Sequence, residues 1–389
     1  MDHDRVAIIS AARTAIGTFG GSLKGVSAID LGIVAAKEAI RRSRITSQDI
    51  QRVVAGQNIQ VTPRGNPARP VLLGAGIPVA SDDYSINMNC SSGLRAMSCL
   101  GQDLLLGDVR IGLAVGMENM SRTPYLLEGS RWGFRLGNAQ ATDFLADYIL
   151  GDAGPMAENV AQKYNISRAA QDEFAYGSQM KAIAAIDAGR FKDDIVPVEI
   201  PQRKAPSLIF EVDEHPRRDT SREKLAKLAP AFKSGGSVTA GNSSGINDGA
   251  AAVVMTMEST AREMGLEPRA FLRSWAAAGV EPGLFGIGPG PATRKALAKA
   301  GISLQDVALI EVNEAFASST IAVIQDLELN PEKVNVNGGA IALGHPVGAT
   351  GLIMLIKLLG ELERRKARYG LVTMCVGNGQ GMTVVIERE

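Results

Sequence analysis

Two hydrophobic periods alternate along this chain. Apolar residues recur at every third or fourth position in "AAKEAIRRS" from Ala35 and in "ATRKALAKA" from Ala292, the spacing of a helix that buries one face. Each predicted helix leads through a short turn into an apolar run that reads as a buried strand. The two stretches also match each other at an offset of 257 residues: Ile45 falls on Ile302, Gln48 and Asp49 on Gln305 and Asp306, Val53 on Ile310. The match continues, because "SINMNC", ending at Cys90, resembles "KVNVNG", ending at Gly338, and a Gly/Ser-rich turn and a helix follow each. "IGLAVG" (111–116) then pairs with "YGLVTM" (369–374), and "GAAAVVMTM" (249–257) with "GMTVVIE" (381–387). The pattern predicts two similar α/β halves with mixed, largely parallel sheets and helices on their faces.

The halves differ in one place. Between its last two strands the first half spends more than 130 residues, the second only "CVGNGQ" (375–380). Residues 119–246 therefore read as an inserted unit with its own helix, "MAENVAQKYNISRAAQDEFAYGSQMKAIAAIDAG". The expected domains are 1–118 with 247–268, the insert 119–246, and 269–389.

Composition narrows the function. Lys and Arg total 41 and so do Asp and Glu, so no net field draws the chain to nucleic acid or an anionic membrane. No apolar run reaches the ~18 residues of a membrane span, and "MDHDRVAIIS" is neither a secretion signal nor a transit peptide, so a cytoplasmic protein is expected. The three cysteines, Cys90, Cys99 and Cys375, lack CxxC spacing, and with three histidines they give no zinc pattern.

Cys90 lies in "NMNCSSGLRAMSC", between a strand and a helix. A thiol at a helix N-terminus is stabilised as thiolate by unpaired N–H groups, so Cys90 reads as a nucleophile or, equally from this local pattern, as a buried structural thiol. Cys99 sits mid-helix and reads as packing. His345 lies in "GGAIALGHPVGATG", after an expected strand and before an expected helix, where Gly344, Gly348 and Gly351 suit a loop wrapped around a bound group. "NEAFA" (313–317) and "CVGNGQG" (375–381) close two further strands. Four such loops at sheet ends point to one site.

Together "NCSSG", "GNSSGINDGAA", "NEAFA", "NGGAIALGHPVGATG" and "CVGNGQG" resemble the thiolase family, acetyl-CoA C-acyltransferases, in order and spacing over essentially the whole chain. The resemblance implies the thiolase fold, α/β in class: two pseudo-symmetric halves in α-β-α-β-α layers with an inserted loop domain that binds coenzyme A and joins subunits into a homotetramer. It implies condensation of acetyl-CoA with an acyl-CoA, or the reverse thiolysis, in fatty acid metabolism, with no cofactor and no metal. Cys90 would carry the acyl group, His345 would take its proton, and Cys375 would move the α-proton of acetyl-CoA. Asn313 would hold the enolate with His345 through a water, and the N–H groups of Cys90 and Gly377 a second oxyanion. Arg217, Phe232, Ala240, Ser244 and Phe316 align with coenzyme A contacts.

Two departures stand out. Where many short-chain relatives have His-Met, this chain has Asp152-Ala153, which makes Ala153 a candidate for acyl selection. The second glycine of the family's "CxGGGxG" is Asn378, a residue that tolerates glycine-like dihedrals better than most. The rival readings are a condensing enzyme of the ketoacyl-synthase type, for which only His3 and His215 remain as extra histidines, and a catalytically silent acyl-CoA-binding scaffold.

Overall fold

The computed structural model describes residues 4–61, 65–134, 136–137, 139–203 and 205–389; His3 lies outside them. The first half is built from β1 (Val6–Thr14), β2 (Gly17–Thr18), α1 (Ala28–Ser43), β3 (Arg52–Gly56), α2 (Ala68–Gly74), β4 (Asp82–Ile86), α3 (Ser92–Leu106) and β5 (Ile111–Asn119). The excursion holds β6 (Tyr125–Leu126), β7 (Thr142–Asp143), a π-helical segment Phe144–Leu150, α4 (Ala153–Lys163), α5 (Arg168–Asp187), β8 (Ile195–Val196), β9 (Val198–Ile200), β10 (Leu208–Phe210) and α6 (Arg222–Ala226). Then follow β11 (Asn247–Met257), α7 (Glu258–Glu263), β12 (Ala270–Gly279), α8 (Pro289–Ala300), β13 (Val307–Val312), α9 (Ala317–Asp326), α10 (Ala340–Leu343), α11 (Thr350–Arg365), β14 (Tyr369–Val376) and β15 (Gln380–Glu387).

Nine strands run through one continuous sheet in the order β13-β14-β15-β12-β1-β11-β5-β3-β4, which β2 joins on β11 and β8 on β1, while β6 with β7 and β9 with β10 form two small separate sheets. The two halves of the large sheet meet where Val6–Ile8 of β1 pair with Ala270–Leu272 of β12. The expectation of largely parallel sheets holds only at the edges: β13 runs parallel to β14, and β3 parallel to β4 and β5, while every pair from β14 across to β5 is antiparallel. The reason is connection length. β14 and β15 pair up to Val376 and Gln380, leaving the three residues Gly377–Gly379 to turn the chain, and a parallel pair needs a crossover of about a dozen.

Helices α3 and α11 lie between the two halves of the sheet, and α11 is buried on every side from Thr350 to Leu362, which is why its apolar run "LIMLI" is nearly unbroken. α1 and α2 cover one outer face and α8 and α9 the other, giving five layers. The repeat is visible in detail. Arg44 and Gly301, 257 apart, both end their helices in left-handed backbone, and Thr46 with Asp49 forms the same reciprocal cap as Ser303 with Asp306.

The single helix expected from Met156 onward is two, α4 and α5. Asn165 turns left-handed at φ 54°, and Ser167 starts α5 by accepting the Ala170 N–H. The excursion is locked to the sheet by Arg13 and Asp213, a fully buried ion pair at 2.7 Å, with Asp213 also accepting the Ile16 N–H.

Candidate functional site

Backbone pairing brings the loops together. Ser243 bridges to Phe316, Ser244 donates its N–H to the Ala315 carbonyl at 2.9 Å, and Ile246 bridges to His345. One cavity of about 830 Å³ results, and Cys90, His345, Gly377, Ala153, Phe232, Ala240, Ser244, Phe316 and Arg217 all line it. Asn313 and Cys375 lie behind its wall. Cys375 is buried with Ala157, Phe285 and Phe316, and Asn313 stands against His345.

The His345 ring is held at both nitrogens. Thr350 Oγ1 donates to the Pro346 carbonyl at 2.9 Å, so at 2.7 Å from Nδ1 it must accept, which puts the ring proton on Nδ1. Nε2 is left as an acceptor, with Asn313 Nδ2 at 3.4 Å. The main chain is fixed as well: Asn247 Oδ1 takes the His345 N–H at 2.9 Å. Burial lowers the imidazole pKa to about 4, so the ring is neutral at pH 7 and carries its lone pair on Nε2.

The expectation of a helix-stabilised Cys90 thiolate is not met. α3 begins at Ser92, and burial pushes the Cys90 thiol up to about 11 despite the Gly377 N–H aimed at its sulfur; the nearby Glu118 carboxyl adds to the rise. Cys375 is pushed up too, by burial and then by the neighbouring Cys90. Burial therefore holds both sulfurs as thiols. Cys99 is half-buried in α3, away from this cavity.

The glycines around His345 serve a different purpose from the one their pattern suggests. A side chain on Gly344 would strike Asn247, one on Gly348 would come within 2.7 Å of the Met117 carbonyl, and one on Gly351 would strike Leu94. They let the loop seat against the protein rather than around a bound group. Nor does a strand precede His345; the short helix α10 does.

Three residues that hold the site escaped sequence reasoning. Glu118 accepts the N–H groups of Asn58, Ile59 and Gly348, tying the His345 loop to β5, and burial raises its pKa to about 7. The other two are Asn247 and Thr350. Each lay inside or beside a quoted motif, but only geometry distinguishes a positioning polar residue from a cap. His215 also lines the cavity, driven to about pKa 4 by burial and then by Arg217.

Toward the other end of the cavity, Phe232 meets Phe316 edge-on at 6.1 Å and lies against Gly154. Arg218 pairs with Asp187, whereas the exposed Arg217 anchors its N–H on Gln179 and makes no ion pair among the described residues. Asn378 takes φ 70°, so the residue that replaces glycine keeps the turn open. Among the described residues no cluster of three or more His, Cys, Asp or Glu is arranged to hold a metal, and no helix is long and apolar enough to cross a membrane.

Comparison with known proteins gives one answer. Family models for the thiolase N-terminal and C-terminal domains match residues 6–259 and 266–388. The chain is 48% identical to an acetyl-CoA acetyltransferase of Chromobacterium violaceum, with 98% of this chain and 99% of that protein covered. It is 46% identical to one from Pseudomonas aeruginosa, with 99% of each covered. The crystal structure of the Bacillus anthracis acetyl-CoA acetyltransferase superposes at a TM-score of 0.97 with 43% identity over 99% of both chains. Human mitochondrial 3-ketoacyl-CoA thiolase in complex with CoA superposes at 0.95 with 39% identity, covering 99% of this chain and 98% of that one.

Proposed function

The chain belongs to the thiolase family and is an acyltransferase acting on CoA thioesters, and we propose a catalytic role for each residue gathered around the cavity. The observation that carries the proposal is the convergence of the Cys90 thiol, a His345 ring with its lone pair on Nε2, and the Gly377 N–H.

His345 Nε2 takes the Cys90 proton, and the thiolate attacks the carbonyl of an acyl-CoA. The N–H groups of Cys90 and Gly377 hold the oxyanion. As the adduct collapses, the C–S bond to coenzyme A breaks and Cys375 gives the departing thiolate its proton. Cys375 is then itself a thiolate and removes the α-proton of an acetyl-CoA. The enolate oxygen is held by Asn313 Nδ2 and, through a water, by protonated His345. The enolate carbon attacks the Cys90 thioester, forming the new carbon–carbon bond, and Cys90 leaves and recovers its proton from His345. Thiolysis is the same path reversed.

Phe232, Ala240, Ser244 and Phe316 line the pantetheine course, with Arg217 at the nucleotide end. The insert 119–246 is proposed to carry most of these contacts and to join subunits into a homotetramer. In support, it exposes Tyr125, Leu127, Phe134 and an 89% exposed Trp132. The halves flanking it are 1–118 with 247–268, and 269–389. A cytoplasmic place in fatty acid metabolism completes the proposal. Around Cys90 the cavity wall includes Met120, Ile149, Leu150 and Val347, and Ala153 is small, which favours a medium-length or branched 3-ketoacyl-CoA with acetoacetyl-CoA still turned over.

Intact-mass measurement after incubation with acetyl-CoA tests the roles. One acyl adduct per chain is expected, mapping to Cys90. Cys375→Ser should keep that adduct while condensation falls by roughly 10² to 10⁴. An adduct on Cys99 or Cys375, with Cys90 unmodified, overturns the assignment.

A further inference from the structure

Behind the cavity wall lies a second, much smaller space of about 20 Å³, enough for one water molecule. Asn313, Thr350, Glu311 and Lys357 line it. Two of these residues have an unused hydrogen-bonding position, and the two are complementary. Asn313 Oδ1 is buried and has no partner, while Nδ2 of the same amide faces His345. Lys357 Nζ donates to Glu311 Oε2 at 2.9 Å and to the Gly338 carbonyl at 2.7 Å, and its third N–H has no acceptor among the described residues.

Lys357 is an odd residue for its place. It sits in α11, the central buried helix, with its side chain 2% exposed and that of Glu311 5% exposed. A buried ion pair of this kind adds little net stability over apolar residues of the same volume, because both charges must first be stripped of water.

We propose that Lys357, paired with Glu311, is a positioning residue: through one ordered water in the small space it fixes which way the Asn313 amide faces. The inference rests on the thiolase roles given above. The water accepts the third Lys357 N–H, so its own protons point at acceptors, namely Asn313 Oδ1 and the second Glu311 oxygen. That makes three hydrogen bonds, the usual number for a buried water. An amide whose oxygen is bound from behind must present its NH₂ to the substrate side, where the enolate oxygen needs a donor. Without the ammonium, a water is as free to accept from the amide as to donate to it. The Asn313 oxygen would then face the developing negative charge.

The test separates the two half-reactions. In Lys357→Met/Glu311→Gln, which removes both charges at similar volume, acylation of Cys90 followed by intact mass is expected within about threefold of wild type. Condensation kcat and the exchange of acetyl-CoA α-protons in D₂O are expected to fall together by roughly tenfold to a hundredfold, short of the 10² to 10³ lost when an oxyanion donor is deleted outright. KM should move by less than about threefold, since the amide acts on the enolate and not on the bound thioester. Unchanged condensation, or an equal fall in both half-reactions, overturns the proposal, the second because it signals a merely structural role. A crystal structure of the wild-type protein must also show water in this space, within hydrogen-bond distance of Asn313 Oδ1; an empty space overturns it. Absence of any Cys90 adduct in the wild type would instead defeat the catalytic roles, leaving the water to be judged by the crystal structure.

Discussion

The Thr350 hydroxyl accepts the Nδ1 proton of His345 because its own proton is committed to the Pro346 carbonyl. One hydroxyl thus decides which ring nitrogen keeps its lone pair. Thr350→Val keeps the shape and removes the acceptor, which leaves the buried N–H unpaired and releases the ring to its other tautomer. An unpaired buried group costs about 1–3 kcal/mol, so Cys90 acylation should slow by roughly tenfold to a hundredfold. Thr350→Ser should restore most of it. Acylation rates by intact mass decide the matter, and a valine variant as fast as wild type removes Thr350 from the mechanism.

Glu118 should give the protein a particular dependence on pH. Its folded pKa, about 7, lies above the ordinary 4.5, so the folded state keeps a proton that the unfolded chain has lost. The stability this confers is full below about 4.5 and is lost as pH rises through 7. The depressed His345 and His215 act the other way, losing stability as pH falls from 6.5 through about 4, and both remain in a Glu118 variant. Glu118→Gln should therefore be less stable than wild type at pH 5, by about 1–3 kcal/mol for its disturbed N–H contacts, and the gap should narrow by pH 8. Urea unfolding at both values measures it; a gap that is constant or widens contradicts the assignment.

Asn378 holds left-handed backbone in the turn that carries Gly377. Asn378→Gly should be close to neutral. Asn378→Val should cost about 1–2 kcal/mol, since a branched side chain is strained at positive φ, and should slow Cys90 acylation as the Gly377 N–H shifts. Thermal unfolding and acylation of the two variants provide the comparison, and equal behaviour would show that the turn does not depend on φ here.

Ala153 lines the cavity beside Met156 and packs toward Phe316. Each methylene accommodated there gains about 0.8 kcal/mol, so two or three carbons beyond acetoacetyl should shift kcat/KM by about ten- to fiftyfold in favour of the longer chain. Ala153→Met should abolish that preference. Thiolysis of four-, six- and eight-carbon 3-ketoacyl-CoAs gives the answer, and a wild type that strongly prefers four carbons, unchanged by methionine, refutes the pocket argument.

Much of the architecture was legible because repetition is visible at any distance in sequence: the 257-residue offset that pairs Ile45 with Ile302 also pairs the caps at Thr46 and Ser303. Strand direction was not, since an apolar run such as "GAAAVVMTM" looks the same whichever way its neighbours point. The meeting of loops was legible where several motifs fall at strand ends, and those carrying Cys90, His345 and Cys375 do come together around the cavity. Ionisation was not: the helix end beside Cys90 suggested a thiolate, but desolvation, a property of everything packed around it, wins. Glu118 and Asn247 were missed because their work is done on partners distant in sequence, and Thr350 because a threonine at a helix start reads as a cap until its hydroxyl is seen against His345.

Apart from β8, which pairs with Arg13 and Thr14, β1 has its ladder partners at Ala251–Met257 and Ala270–Leu272. A ribosome adding roughly 5–20 residues per second therefore releases "VAIISAART" on the order of tens of seconds before either neighbour exists. Through that interval the apolar stretch Val6–Ala12 stands with both edges unpaired, a template for pairing with the wrong chain. The yield of active protein in a cell should accordingly track chaperone capacity and growth temperature more closely than the stability of the finished fold, and a chain halted at residue 245 should collect in the insoluble fraction.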